Sequence, residues 1–327
     1  MKTFTFAEPT ELEKASGLLR NGTRGYLLAG GTDLVAEMKQ GIIEPDLLVS
    51  ASHIQEMFDI EWNQYGLKIG SMVTLSEIAS NESMKIKVRS LVQAAGSIAT
   101  PQIRNIATLG GNLCQKPRCL YYRNSRFNCL KKGGTKCFAV GGSDKYHAIL
   151  GGSSCYIVHP SDSAVALVTL KAAVEIYRKS QRVIIPIADF FTGPDIDVTR
   201  ENILEPGDIL ISIHVPNESM EGKSVFLKAK ERKSMDFAIV SVASMVKIKN
   251  ERISQVGLAV GGVAPVPWKL DTLESELVGV KVEDVDVRSL CSGVFKDAKV
   301  MGQNGYKLQL VQTYLERSLK MVLGNSN

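Results

Sequence analysis

Five of the six cysteines, Cys114, Cys119, Cys129, Cys137 and Cys155, fall within 42 residues, and only Cys291 lies elsewhere. Thiolates are nucleophiles, redox groups and metal ligands, so a cluster this dense is the first place to look for chemistry. The five are separated by 4, 9, 7 and 17 residues with no C-x2-C pair. That spacing disfavours zinc ribbons and ferredoxin-type runs, but four thiolates on a looping segment could still close on zinc or on an iron–sulfur cluster. Cys114 follows Asn112-Leu113 inside a regular apolar pattern and Cys291 sits on an apolar helical face, so both read as core residues. From Gln115 to Ser143 there are seven basic residues (Lys116, Arg118, Arg123, Arg126, Lys131, Lys132, Lys136) and no acidic ones. The rest of the chain holds 32 basic and 34 acidic residues, so the formal +5 resides in this one stretch. A four-iron cluster on four thiolates is anionic, and such cations would stabilise it and shift its potential. With no second basic stripe, nucleic-acid binding is not expected.

Two glycine turns form a second group of candidates, LLAGGTDL at 27–34 and TLGGN at 108–112. Glycine lets the backbone approach a ligand closely, and free N–H groups at a strand-to-helix turn can hold phosphate. Two such turns would suit the two phosphates of a pyrophosphate, although neither fits G-x-G-x-x-G or a Walker loop. His53, His147, His159 and His214 show no metal-binding spacing, and nothing resembles the nucleophile elbow of a hydrolase.

The elements that must position these residues read as follows. Thr10-x-x-Glu13 has the pattern of a capping box opening a helix that Asn21-Gly22 ends. Tyr26–Ala29 reads as a strand and Leu34–Lys39 as a helix, with Thr32 or Asp33 as its cap. Residues 67–73 form a strand, 75–80 and 88–98 helices, and Thr100-Pro101 a break. After the cysteine-rich excursion the pattern resumes with a strand at 155–158, a helix at 163–171 and a hairpin across 173–187. A strand at 209–215 precedes the polar stretch 216–223, which marks a domain boundary. Strands at 224–229, 238–249 and 252–263 and helices at 285–298 and 306–323 complete the chain. At 327 residues, two or three compact units are expected, and no apolar run is long enough to span a membrane. The opening residues MKTFTFAEPTELEK have no apolar stretch or twin arginine, so a cytoplasmic protein is expected, with export on a partner's signal left open.

Four segments in order, AGGTDLVAEMKQG (29–41), QIRNIATLGGNL (102–113), HPSDSAVAL (159–167) and FLKAKERKSMDFAIVSVA (226–243), resemble the flavin-binding subunit of the xanthine dehydrogenase and molybdenum hydroxylase family. The cysteine-rich insertion resembles that of the flavin subunits of 4-hydroxybenzoyl-CoA reductase and, more closely, of bacterial aldehyde oxidoreductases, which carry a [4Fe-4S] cluster. The resemblance implies an α+β protein with a two-subdomain FAD-binding fold of the vanillyl-alcohol oxidase type and a C-terminal α+β domain of the CO dehydrogenase flavoprotein type. The expected domains are 1–55, 56–218 with the insertion at 114–155, and 219–327.

Carried over to this sequence, the resemblance implies FAD pyrophosphate on Leu27, Leu28, Ala29, Gly30, Gly31, Thr32, Asp33 and Leu34, and on Thr108, Gly110, Gly111 and Asn112. It implies a flavin contact at Asp162, a lining residue at Leu210 and a lysine near the ring at Lys228, which by position alone could be a solvated strand residue. It implies cluster ligands at Cys119, Cys129, Cys137 and Cys155. No segment resembles the molybdopterin subunit or a [2Fe-2S] protein, so the family's path implies partners: electrons leave molybdenum in a large subunit, cross the [2Fe-2S] centres of a small one, reach FAD here and pass to an external acceptor. A stand-alone flavin reductase of related fold, or a zinc-stapled binding module, are the competing expectations.

Overall fold

A computed structural model describes residues 1–324. Three sheets follow one another along the chain. The first is built from β1 (Thr5–Ala7), β2 (Gly25–Leu28) and β3 (Leu47–Ser50), all parallel in the order β1-β3-β2. Parallel neighbours need crossovers, supplied here by α1 (Leu12–Arg20) and α2 (Leu34–Lys39). Helix α1 buries Leu12, Ala15, Ser16 and Leu19, the i, i+3, i+4, i+7 stripe of a one-sided helix. Ser16 on that stripe donates to the Gly207 carbonyl at 2.7 Å and so ties the helix to a distant loop.

The second sheet is antiparallel, β4 (Ile60–Asn63), β5 (Gly66–Gly70), β6 (Ala173–Arg178), β7 (Gln181–Pro186) and β8 (Ile209–Pro216), in the order β4-β5-β8-β6-β7. Lys179 and Ser180 turn the β6–β7 hairpin with φ of 49° and 63°, the two positive angles a tight two-residue hairpin loop requires. The helices Leu75–Ser80, Arg89–Ser97 and Asp162–Thr169 pack with this sheet into the largest apolar core.

The third sheet is the antiparallel set β9 (Lys223–Ala229), β10 (Val240–Lys249), β11 (Arg252–Gly261) and β12 (Trp268–Lys269), in the order β12-β11-β10-β9. The long helix Tyr306–Leu323 covers one face, and Arg89–Ser97 and Asp162–Thr169 pack against the other. Glycine makes the second contact possible: a Cβ on Gly257 would fall 2.1 Å from the Thr169 carbonyl oxygen, and one on Gly261 would fall 2.6 Å from Val165. The middle strands are therefore buried on both sides over Val240–Val246 and Val256–Gly261.

Several sequence expectations are corrected. Thr10 and Glu13 form no capping box: Glu11 is the N-cap of α1 and makes no side-chain cap bond. The capping box is at Thr74 and Glu77, where both reciprocal bonds form. The break at Thr100-Pro101 holds, the preceding helix ending at Ser97, but it also opens the short helix Pro101–Arg104, since proline at the first helical position loses no hydrogen bond. The Thr108 segment is the N-cap and first turn of Leu109–Leu113. Residues 155–158 are not a strand; their single ladder-like bond runs from Ala148 N–H to the Tyr156 carbonyl. The helix expected at 285–298 is confined to Val287–Ser292.

Candidate functional site

A cleft of about 580 Å3 opens between the first sheet, the Leu109–Leu113 helix and the loop before β8. It continues into a second cavity of about 240 Å3, and the two share Thr32, Asp33, Gly111 and Gln115. Leu27, Ala29, Gly30, Gly31, Thr32, Asp33, Leu34, Thr108 and Gly111 line the first. Asn112, Asp162 and Lys228 line the second. Three expected residues stand apart: Leu28 faces away, Gly110 is packed on Ser71, and Leu210 lies in the core of the second sheet, paired with Ile176.

The two glycine turns differ in what they can offer a ligand. Gly31 turns the chain with φ +67°, and Gly30 packs so tightly that a Cβ would fall 2.0 Å from the Ile106 carbonyl oxygen. The N–H groups of Gly30, Gly31, Thr32 and Asp33 have no acceptor among the described residues, so this loop presents free donors to the cleft. In the second turn the N–H groups are already used. Leu109 donates to Val73 O, Gly110 to Ser71 O, Gly111 to the Thr108 hydroxyl and Asn112 to Thr108 O. Its contribution is shape, a helix start without side chains beside the donors of the first loop. Ser161 caps its own helix at Ala164 N and donates to the buried Asn112 side chain at 2.6 Å, which locks the HPSD segment to the second turn.

Lys228 is no solvated strand residue. Its Nζ lies 2.7 Å from Asp162 Oδ2, both side chains are 5% exposed, and it also donates to the Ser97 carbonyl. Burial raises the Asp162 pKa, and the Lys228 charge opposes that rise.

A separate pocket beside the cleft is lined by Cys119, Cys129, Cys137 and Cys155 together with Tyr121, Tyr122, Lys131 and His147. All six cysteines are free thiols. Cys114 packs against the middle core and Cys291 against the C-terminal core, and desolvation pushes both thiols up to about 12. The pocket thiols have polar company. Hydrogen bonding from the Cys155 thiol, followed by backbone N–H groups of Tyr156, Ala139 and Val140, holds Cys137 below the ordinary thiol value, with desolvation opposing. Burial raises Cys119, opposed by N–H groups of Tyr122 and Tyr121, and the His147 Nε2 is 3.3 Å from its sulfur. Hydrogen bonds to sulfur of this kind tune iron–sulfur centres. Among the described residues, no three His, Cys, Asp or Glu side chains are grouped so as to hold a single metal ion.

The insertion has little regular structure, one turn at Leu130–Lys132, and is held by aromatic packing of Tyr121, Phe127 and Phe138 with ring centroids 5.1 to 6.0 Å apart. Its basic residues have a destination the sequence reading did not foresee. Asp33 accepts from Arg118 (2.6 Å), Arg123 (2.7 Å) and the Lys116 N–H (2.7 Å). Glu37 accepts from the Tyr122 hydroxyl, and buried Glu201 pairs with both Lys116 and Lys131. Four of the seven cations are thus neutralised by carboxylates of the flanking chain. The one signal for Glu37 and Glu201 is indirect: a run of cations without acids must find its partners elsewhere.

The glycine loop presents its free donors to a long two-part cleft suited to a nucleotide. Residues 2–218 match the FAD binding domain in molybdopterin dehydrogenase, and 225–322 match the CO dehydrogenase flavoprotein C-terminal domain. The chain belongs to the family of FAD-binding subunits of the xanthine dehydrogenases and molybdenum hydroxylases. It is 31% identical to the aldehyde oxidoreductase FAD-binding subunit PaoB of Escherichia coli K12, covering 100% of this chain and 99% of that one. It is 24% identical to the glyceraldehyde dehydrogenase medium chain of Sulfolobus acidocaldarius, covering 98% of each. In fold it is similar to a chain of the carbon monoxide dehydrogenase of Hydrogenophaga pseudoflava, with a TM-score of 0.77 at 21% identity, covering 99% of this chain and 98% of that one. Among the described residues no helix is long and apolar enough to cross a membrane.

Proposed function

We propose that this chain is the FAD- and [4Fe-4S]-containing electron-transfer subunit of a heterotrimeric molybdenum hydroxylase of the aldehyde oxidoreductase type. Its partners are a large molybdopterin-binding subunit and a small [2Fe-2S] subunit. The FAD-binding part comprises 1–55 and 56–218, and 219–327 is the C-terminal domain. The observation that carries the cluster is the convergence of four thiols, spread over 37 residues of an irregular loop, on one pocket beside the flavin cleft. Four thiols lining one pocket would supply one ligand for each iron of a four-iron cluster. The similarity to PaoB favours the aldehyde oxidoreductase type.

The residues fit FAD in the two-part cleft. The free N–H groups of 30–33 would hold the pyrophosphate, and Gly111 would let it approach the start of the Leu109–Leu113 helix. The Asp162–Lys228 pair would fix the wall of the inner cavity and, being buried, keep that wall closed to water. Cys119, Cys129, Cys137 and Cys155 would ligate the cluster, with backbone N–H groups directed at the sulfurs of Cys119, Cys137 and Cys155. When bound, FAD supplies a carrier of one or two electrons and the cluster a carrier of one. This chain's own residues bind and orient the two groups and set the polarity around them.

Anaerobic purification with iron, sulfide and flavin analysis tests the reading. About four irons and one FAD per chain are expected, with iron lost in Cys129→Ser and Cys137→Ser while flavin still binds. A colourless, iron-free protein without flavin affinity after reconstitution overturns it. Vigorous NADH oxidation by the isolated chain, with no association with two other polypeptides, would favour a stand-alone reductase instead.

A further inference from the structure

The cysteine pocket and the flavin cleft are joined by two lines of side chains, buried except for the half-buried Lys116. In the first, Tyr122 forms part of the pocket wall and donates its hydroxyl to Glu37 Oε1 at 2.7 Å, while Glu37 forms part of the cleft wall. Glu37 is 2% exposed, so this bond is shielded from water and from exchange with solvent partners. In the second, Lys131 in the pocket wall and Lys116 in the cleft wall share one buried carboxylate, Glu201. The Lys116 backbone N–H also binds Asp33, next to the free donors of the glycine loop. Moving Tyr122 or Lys131 would leave a buried carboxylate short of a partner, so the pocket wall and the cleft wall cannot shift independently.

We infer that these two bridges couple the sites, so that filling the cysteine pocket pre-organises the cleft and iron-loaded protein binds FAD more tightly than iron-free protein. The inference rests on the FAD and [4Fe-4S] reading proposed above and adds to it a role for Tyr122, Glu37, Lys131, Glu201 and Lys116 as positioning residues. Ligation pins Cys119 and Cys129, hence the adjoining Tyr122 and Lys131, and the bridges carry that restraint to Glu37 and Lys116. The ordering is then already in place when flavin arrives. Linkage makes the effect reciprocal: bound FAD slows and weakens the removal of iron by the same equilibrium factor.

The test uses the full chain reconstituted with iron and sulfide, or stripped by chelator, and titrates FAD by quenching of its fluorescence. Wild-type protein should bind FAD at least about five-fold more weakly without iron, the lower end of ordinary coupling. Tyr122→Phe removes one bridging hydroxyl and Lys116→Met opens the other bridge while leaving Glu201 paired with Lys131. In each, iron content and the folded signal should persist while the ratio of FAD affinities with and without iron falls toward one. Equal affinities in wild-type protein that demonstrably holds both groups overturn the coupling and leave the functional reading intact. Full coupling retained in both variants overturns the assignment to these bridges. Wild-type protein that takes up neither iron nor FAD overturns both.

Discussion

Lys228 on β9 reaches across from the C-terminal domain to Asp162, the first residue of a helix in the FAD-binding part, and their charged atoms meet at 2.7 Å with each side chain 5% exposed. The pair closes one wall of the inner cavity where the two parts of the chain join. Burying two charges yields little net stability, but removing one partner leaves the other stranded in a poorly solvating site. Lys228→Ala should therefore cost about 3 kcal/mol or more in urea denaturation. Asp162→Asn combined with Lys228→Met should recover at least half of that loss. Simple addition of the single-variant losses would show that the two groups do not act as a pair.

Gly30 tests the cleft. An added Cβ would lie 2.0 Å from the Ile106 carbonyl oxygen and 2.8 Å from its carbon, both backbone atoms that cannot swing aside as a side chain would. Gly30→Ala must displace the loop carrying the free N–H donors, at an overpacking cost of about 1–3 kcal/mol. Flavin affinity should fall by about ten-fold or more with the fold intact. Gly17→Ala is the control: it lies in α1 with nothing within 4 Å of the new methyl and should stabilise by about 0.5–1 kcal/mol through helix propensity. Undiminished flavin binding in Gly30→Ala would remove this loop from the site.

That the glycine loop lines a cleft and that four of the cysteines share one pocket was legible in the sequence for a physical reason: both consist of residue types whose backbone freedom or thiol chemistry is seldom spent without purpose. What stayed hidden depends on long-range partners. Tyr122 meets Glu37, and Lys131 meets Glu201, across 85 and 70 residues of chain, and no local pattern encodes such a meeting. Residues 155–158 have the apolar content of a strand but no ladder partner, and strand formation is decided by neighbours more than by propensity. The same spacing of threonine and glutamate caps a helix at Thr74 and fails at Thr10, where the helix starts one residue later and Glu11 takes the cap position. Leu210 is similarly a matter of register. It is buried on the face of β8 that packs into the middle core, away from the cleft.

The second sheet carries its own acid-sensitive element. Glu175 on β6 accepts from Ser212 at 2.6 Å, from Arg182 at 3.2 Å and lies 3.3 Å from His214 Nε2, linking three adjacent strands. The His214 hydrogen bond, with those of Ser212 and Arg182, outweighs desolvation and holds the Glu175 carboxyl down at about 2, against an ordinary value of 4.5. A carboxylate depressed in the folded state contributes stability that is fully present above its unfolded value and is lost as pH falls toward the folded one. The wild-type protein should therefore lose this contribution progressively as pH drops from about 4.5 toward 2, while Glu175→Gln lacks it throughout. In urea denaturation across pH, the gap between wild type and Glu175→Gln should be constant above about pH 5.5 and should narrow below 4.5. A gap that stays the same width down to pH 3 would mean that ionisation of the Glu175 carboxyl is not what binds these three strands.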